Sequence, residues 1–418
     1  MLALRPAACS TFVHPFAPGP AMWRTVFVAM VFVATVFVAT VFVATVSGAD
    51  DVGRVSQDTL RVGDTLYLSA QPGLDPAGAN PPTEMGAATR LAMRRLQRAL
   101  AAEGLDFSDV VSAQVWLTDL GKYGAMNSAY RTFFAKRFPT RTTLGVAALP
   151  GGALVQIAMV AFAGPKRVIR PADAKASDLP FSPGILAGDT LYLSGHVGVD
   201  PATGQLIEGG VADHVKQTLQ NIGEVLKAAQ MDFSHVVSSY LYLQNPDAFG
   251  IASQAYLTRI NQEPRPARMP MGVAALPLGS PVEITMIASR KVRQERRGKD
   301  QPPSGAYSRG LLNDDVMHLA GVFRREGTLS SQVDSCIAWI EPILQAGGMG
   351  LGDVVEVRIY LAEIQDFPEV ADAYRRHFSD APPTLAVIAV PKLPAKSRIM
   401  MGLVASQSKR GNGRPSAD

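Results

Sequence analysis

A unit of sequence recurs three times in this chain at a spacing of about 125 residues, and this limits its folds more than anything else. Gly63-Asp-Thr-Leu-Tyr-Leu-Ser69 returns unchanged as Gly188-Asp-Thr-Leu-Tyr-Leu-Ser194, and in weakened form as Asp314-Asp-Val-Met-His-Leu-Ala320. Phe107-Ser-Asp-Val-Val111 matches Phe233-Ser-His-Val-Val237 and Leu351-Gly-Asp-Val-Val355. Arg141-Thr-Thr-Leu-Gly-Val-Ala-Ala-Leu-Pro150 matches Arg268-Met-Pro-Met-Gly-Val-Ala-Ala-Leu-Pro277 and, in pattern, Leu385-Ala-Val-Ile-Ala-Val-Pro-Lys-Leu-Pro394. A period this long is a duplicated domain rather than a solenoid repeat. The repeats span 52–164, 176–292 and 302–406, between a leader over 1–49 and a polar tail over 407–418.

Each unit reads as ββαβαββ, an α+β layer with helices against one face of a sheet. In repeat 2, two strands flank the turn at Gly188-Asp189, and Asp200-Pro-Ala-Thr-Gly204 is a further turn. Val211, Val215, Leu219, Ile222 and Leu226 then recur at helical spacing. Val236 to Leu243 alternates as a strand. A second helix carries Phe249, Ala252 and Tyr256 on one face, matched by Tyr123, Met126, Tyr130 and Phe134 and by Phe367, Val370, Tyr374 and Phe378. The last two strands read as a hairpin around Pro277, Gly279 and Pro281, which places Glu283 across from about Ala275. The uncovered face of such a sheet must be buried. Three copies in one chain can bury it by closing into a threefold ring, so a monomeric pseudo-trimer is expected.

The 418 residues are 47% hydrophobic and 18% charged, which supports a packed core and excludes general disorder. The net charge of +4 is concentrated in Arg290-Lys-Val-Arg-Gln-Glu-Arg-Arg-Gly-Lys299 and in the tail. Those runs read as a linker and a terminus, so no nucleic-acid partner is expected. Trp23-Arg24, an uncharged stretch to Val46 and small residues up to Ala49 read as a secretory signal peptide; Met22 offers an alternative start. The rival reading is an uncleaved anchor, because about 21 apolar residues span a bilayer. Both place the globular part outside the cytoplasm, with a membrane partner only if the leader is retained. Cys9 falls in the leader, leaving Cys336, spaced helically from Ile340, as a core thiol. Neither the histidines nor the cysteines have metal-ligand spacing, and no phosphate loop, dinucleotide fingerprint or nucleophile elbow is present. No metal or cofactor is expected.

The string Leu191-Tyr-Leu-Ser-Gly-His-Val-Gly-Val-Asp-Pro-Ala-Thr-Gly-Gln-Leu206, the Asp232-Phe-Ser-His-Val-Val237 segment and the R-x-x-x-G-V-A-A-L-P pattern resemble the RidA/YjgF family. The resemblance covers residues 52–406 three times over and is weakest in repeat 3. It implies three chorismate-mutase-like domains with ligand clefts between them. It also implies hydrolysis of 2-imino or enamine acids to 2-keto acids and ammonia, an activity that some members lack.

The resemblance further implies site residues. The arginine that holds the substrate carboxylate falls on Arg141, Arg268 and Leu385, and the glutamate that activates water on Gln156, Glu283 and Met400. An aromatic position falls on Ser56, Phe181 and Tyr307, and a helix asparagine on Asn127, Ser253 and Ala371. The Ser-Gly pair falls on Ser69-Ala70, Ser194-Gly195 and Ala320-Gly321, where glycine would let a backbone N–H approach the ligand. A guanidinium suits a carboxylate because it is planar, always charged and bidentate. A carboxylate can relay water's proton to nitrogen, whereas Gln156 can hold a water but not take its proton.

With the hairpin register, Arg268 lies some seven residues from the position opposite Glu283, roughly 23 Å along the strand. One repeat therefore cannot supply both groups. In one ring direction Glu283 meets Arg141, and in the other Leu385; Arg141 with Glu283 is the expected catalytic pair. Arg268 then meets Gln156 or Met400, in a cleft suited to binding a carboxylate without turnover. Arg268, Gln156, Asn127, Phe181, Ser194, Gly195 and Tyr307 are the expected substrate-binding residues. His196, beside Gly195, reads as a structural or solvated histidine. Two other functions compete with deamination. One is a non-catalytic module binding small carboxylates or a protein. The other is RNA cleavage, sometimes attached to the family, which would call for a continuous basic and aromatic surface.

Overall fold

The computed structural model describes residues 55–75, 81–135, 137–172, 178–379 and 382–409. The leader, with Cys9 and its signal or anchor reading, lies outside the described residues, as does the tail beyond 409.

Repeat 1 comprises β1 (Thr59–Val62), β2 (Thr65–Pro72), α1 (Met85–Ala102), β3 (Val110–Leu117), α2 (Tyr123–Arg131), β4 (Thr140–Gly145) and β5 (Val155–Phe162). A linker strand, β6 (Lys166–Ile169), leads into repeat 2, with β7 (Gly184–Ala187), β8 (Thr190–Leu193), β9 (His196–Val197), α3 (Val211–Ala228), β10 (Val236–Leu243), α4 (Phe249–Leu257), β11 (Ala267–Gly272) and β12 (Val282–Ser289). A second linker strand, β13 (Arg293–Arg296), leads into repeat 3: β14 (Gly310–Asn313), β15 (Val316–Leu319), β16 (Val322–Arg324), α5 (Leu329–Ala346), β17 (Val354–Leu361), α6 (Phe367–His377), β18 (Thr384–Ala389) and β19 (Ile399–Ser406). The order is the expected ββαβαββ, three times. Part of the basic run read as a linker is ordered: β13 pairs with β14, as β6 pairs with β7. Each linker strand thus covers the open edge of the next repeat's sheet.

The closing hairpin is not observed. In repeat 1 the sheet order is β1-β2-β5-β3-β4, so the middle strand β3 separates the last two. In repeat 2, β11 runs parallel to β10, while β12 runs antiparallel on β10's other side. Glu283 is therefore level with Tyr242 rather than Ala275, which instead bridges to Gly145 of repeat 1. The Pro-rich segment is a crossover connection. Its residue Leu278, at φ +60°, holds the left-handed conformation that Gly151 (φ +65°) holds in repeat 1 and Ala395 (φ +53°) in repeat 3.

The helices sit on one face of each sheet. In repeat 2 the predicted stripe Val215, Leu219, Ile222 and Leu226 is buried against Leu241, Leu243, Ile284 and Met286. Cys336 and Ile340 occupy the matching core of repeat 3. The opposite faces meet in one shared core built from all three repeats, with Trp116 and Leu144, Tyr242 and Met271, and Tyr360 and Ile388. This arrangement is the intramolecular pseudo-trimer, with each sheet's second face buried against the other two repeats.

A composite cleft between neighbouring repeats

β4 is an edge strand parallel to β3, and its Arg141 side chain turns toward α2. On α2, Tyr123 and Tyr130 lie seven residues apart and so share a face. Repeat 2 contributes a third ring, Phe181. The guanidinium carbon of Arg141 sits 5.4 Å from the Tyr123 ring centre, 5.1 Å from Tyr130 and 5.5 Å from Phe181. Its Nη2 donates to the Tyr123 hydroxyl at 2.8 Å, and the residue is only 3% exposed. Three aromatic faces offset the desolvation of the cation, at about 2 kcal/mol or more for a desolvated pair. They also fix the guanidinium plane.

The main chain of Arg141 joins the two repeats. Its N–H donates to Ser194 Oγ at 2.9 Å, its carbonyl accepts from Gly195 N–H at 3.1 Å, and Ser194 Oγ donates to the Ser182 carbonyl at 2.7 Å. Two of the expected roles change accordingly. The Ser194 hydroxyl and the Gly195 N–H are committed to the seam rather than facing a ligand. Glycine is required for another reason: a Cβ at Gly195 would fall 1.7 Å from Glu283 Oε1.

Glu283 projects from β12 on the face away from the helices, level with Val197 of β9. It is 2% exposed, and its Oε2 has no hydrogen-bond partner among the described residues. Burial pushes its pKa up to about 8, and the Arg141 charge in the same cleft pulls the other way. The cleft thus holds a mostly protonated carboxyl at neutral pH, beside a fixed cation. Asn127 lies on α2 next to Met126, whose sulfur approaches Arg141 Nη1 at 4.0 Å; Asn127 Oδ1 is buried without a partner among the described residues. His196 Nδ1 lies 2.7 Å from the Ser194 carbonyl, and burial lowers its pKa.

The other expected residues fall in two further clefts. Between repeats 2 and 3, Arg268 repeats the cage, with its guanidinium 5.6 Å from Phe249, 5.3 Å from Tyr256 and 5.7 Å from Tyr307. Its Nη1 donates to Ser253 Oγ at 3.0 Å, and its carbonyl accepts from Gly321 N–H at 3.2 Å. The group beside Gly321 is Met400, whose sulfur would lie 3.0 Å from a Cβ there. Of the two partners left open for Arg268, the fold supplies Met400. Between repeats 3 and 1, Leu385 N–H donates to Ser69 Oγ at 2.9 Å, and Gln156 Nε2 donates to the Ala70 carbonyl at 3.3 Å. That cleft has neither the arginine nor the glutamate.

Three segments, 48–163, 172–290 and 298–407, match the family model described as Endoribonuclease L-PSP. The chain belongs to this family, the RidA family. It is 45% identical over 123 residues to the mouse 2-iminobutanoate/2-iminopropanoate deaminase, a match covering 29% of this chain and 90% of that protein. The human protein of that name is 42% identical over 123 residues, covering 29% and 89%. Reactive Intermediate Deaminase A of Arabidopsis thaliana is 37% identical over 124 residues, covering 30% and 66%. The crystal structure of RidA from an Antarctic Psychrobacter aligns at 32% identity and a TM-score of 0.28, over 29% of this chain and 98% of that one.

Within this RidA chain the three clefts are graded: one has both charges, one the arginine alone, and one neither. Reading the sequence assigned Tyr123, Tyr130, Phe249 and Tyr256 to helix faces and missed that they cage the arginines. The available signal was that an aromatic pair seven apart precedes each arginine, Tyr123 and Tyr130 before Arg141 and Phe249 and Tyr256 before Arg268, although Phe367 and Tyr374 precede Leu385 in the same way.

Proposed function

We propose that the chain is a hydrolytic deaminase of 2-imino acids that works from the cleft between repeats 1 and 2. The observation that carries this reading is that a caged, buried arginine and a buried, under-satisfied glutamate from two different repeats meet at Gly195, close enough for the arginine's charge to act on the glutamate. The relatives named as 2-iminobutanoate/2-iminopropanoate deaminases support the same chemistry. Arg141 would bind the substrate carboxylate through N–H edges left free by the ring stack, setting the C=N carbon toward Glu283. A protonated imine is cationic, and its arrival favours the ionised form of Glu283. The carboxylate then takes a proton from water as the oxygen bonds to carbon. It returns that proton to nitrogen and then takes the hydroxyl proton as the C–N bond breaks and the C=O bond forms, releasing ammonia and a 2-keto acid.

The test is ammonia release from enzymatically generated 2-iminopropanoate. Glu283→Gln should lose 10²-fold or more, in line with removal of a general acid–base group, while Arg268→Ala should keep the parent rate within about twofold. A parent without turnover, or a Glu283→Gln variant with parent-like turnover, sinks the reading. The second reading, carboxylate binding without turnover, is favoured for the other arginine cleft by Met400 in place of a carboxyl group.

A further inference from the structure

A roomy cavity lies outside the cleft with both charges. It lies between repeats 2 and 3, measures about 530 Å³ and has Arg268 and Tyr307 in its wall. The rest of its lining is mostly apolar: Leu243, Phe249 and Met271 from repeat 2, and Phe323, Pro394 and Met400 from repeat 3. A volume of that order encloses a drug-sized ligand and far exceeds the needs of a three- or four-carbon acid.

Of the three cations in this wall, Lys396 is exposed, Lys392 is paired with Asp247, and Arg268 is the buried one set for an anion. Arg268 is 4% exposed, its ring cage covers its faces, and its Nε is buried without a hydrogen-bond partner among the described residues. The position that Glu283 fills in the first cleft is here a thioether, which can neither activate water nor repel an alkyl chain. Lys392 of repeat 3 pairs with Asp247 of repeat 2, and both line the same cavity, so this pair ties the two repeats together beside it.

We infer that this cleft binds monocarboxylates carrying an extended apolar tail and does not hydrolyse them. The carboxylate sits on Arg268, and the tail lies along Met271, Phe323, Pro394 and Met400. The site is distinct in ligand class from the deaminase cleft, and it stands whether or not that cleft turns over.

Titration calorimetry of the full chain with decanoate, 1-decanol and propionate tests this. Decanoate should bind one per chain, with Kd falling about fourfold for each methylene that enters the pocket, so propionate should bind at least 50-fold more weakly. Decanol, which lacks the charge, should also bind at least 50-fold more weakly. Arg268→Met should weaken decanoate tenfold or more, and Arg141→Ala should leave it within twofold. Phe323→Glu, which puts a charge on a half-buried part of the wall, should weaken it similarly and decides the matter if Arg268→Met does not fold. No decanoate binding, equal binding of propionate, or a loss in Arg141→Ala with none in the pocket variants overturns the inference.

Discussion

Glu283 Oε1 occupies the space that a side chain on Gly195 would need, 1.7 Å from where its Cβ would stand. The glycine stands just before β9, whose Val197 pairs with Glu283, and the glycine's own N–H is held by Arg141 of the preceding repeat. One residue without a side chain therefore lets a carboxyl group lie beside an arginine borrowed from another domain. Gly195→Ala should displace Glu283 and reduce ammonia release at least tenfold. Thermal melting should move little, because the group that yields is the end of a side chain. The matched Ala70 already carries a methyl, and its carbonyl accepts from Gln156 in a cleft without the arginine or the glutamate, so Ala70→Gly should leave the rate unchanged.

The raised pKa of Glu283 makes two predictions about pH. A base needed in its ionised form gives kcat/KM that rises with pH and levels off above about 8. Stability moves the other way. Between the unfolded value of 4.5 and the folded value of about 8 the native state binds more protons than the unfolded one. Glu283 thus costs stability as pH rises through that window, on the order of a few kcal/mol in full. Denaturation of the parent and Glu283→Gln at pH 5 and pH 9 should show the variant gaining relative to the parent at the higher pH.

Tyr123 accepts a hydrogen bond from Arg141 at 2.8 Å and also stacks on it. Tyr123→Phe keeps the ring and removes the acceptor. A charge-assisted bond of this kind is worth about 1.5–3 kcal/mol, and the loosened guanidinium should raise KM for the imino acid about tenfold with a smaller change in kcat. Steady-state kinetics that show the reverse split would assign Tyr123 a part in the chemical step.

Met400→Glu restores in the second cleft the arginine–glutamate pair that the first one has. Gly321 lies beside this position, and Arg268 has the same cage as Arg141. In a Glu283→Gln background, Met400→Glu should recover measurable ammonia release, and adding Arg268→Ala should abolish it. No recovery in a folded double variant would mean that the cage and the carboxyl group are not sufficient.

Near the meeting of the three sheets, Arg358 pairs with Glu356 and lies 4.9 Å over Tyr240 of repeat 2. Gln114 of repeat 1 lines the same small cavity. Three identical chains would bring three guanidiniums together here, so a fused chain permits a single charge that a homotrimer could not hold. Arg358→Ala leaves Glu356 without its cation and should cost about 3–5 kcal/mol, read by chemical denaturation.

The repeat, the ββαβαββ order and the buried helix stripes were legible in the sequence because each is a local pattern of period 125, 3.6 or 2. The positions carrying arginine and glutamate were legible for the same reason. Strand order was not, because β10 inserts between β11 and β12, and parallel pairing joins residues far apart in sequence. The proposed 23 Å separation within one repeat was therefore drawn on the wrong register. With β10 as reference, Arg268 and Glu283 are three positions and two strands apart, roughly 14 Å. What separates them more decisively is the sheet itself, since Arg268 faces α4 and Glu283 the opposite side. The sequence by itself determined which repeats kept a charge. Tertiary structure alone decided that repeat 1 lends its arginine to repeat 2, that repeat 2 lends its own to Met400, and that the second cleft opens into an apolar cavity. Those relations arise where separately folded sheets meet, and no periodicity within a single sheet encodes which neighbour it will meet.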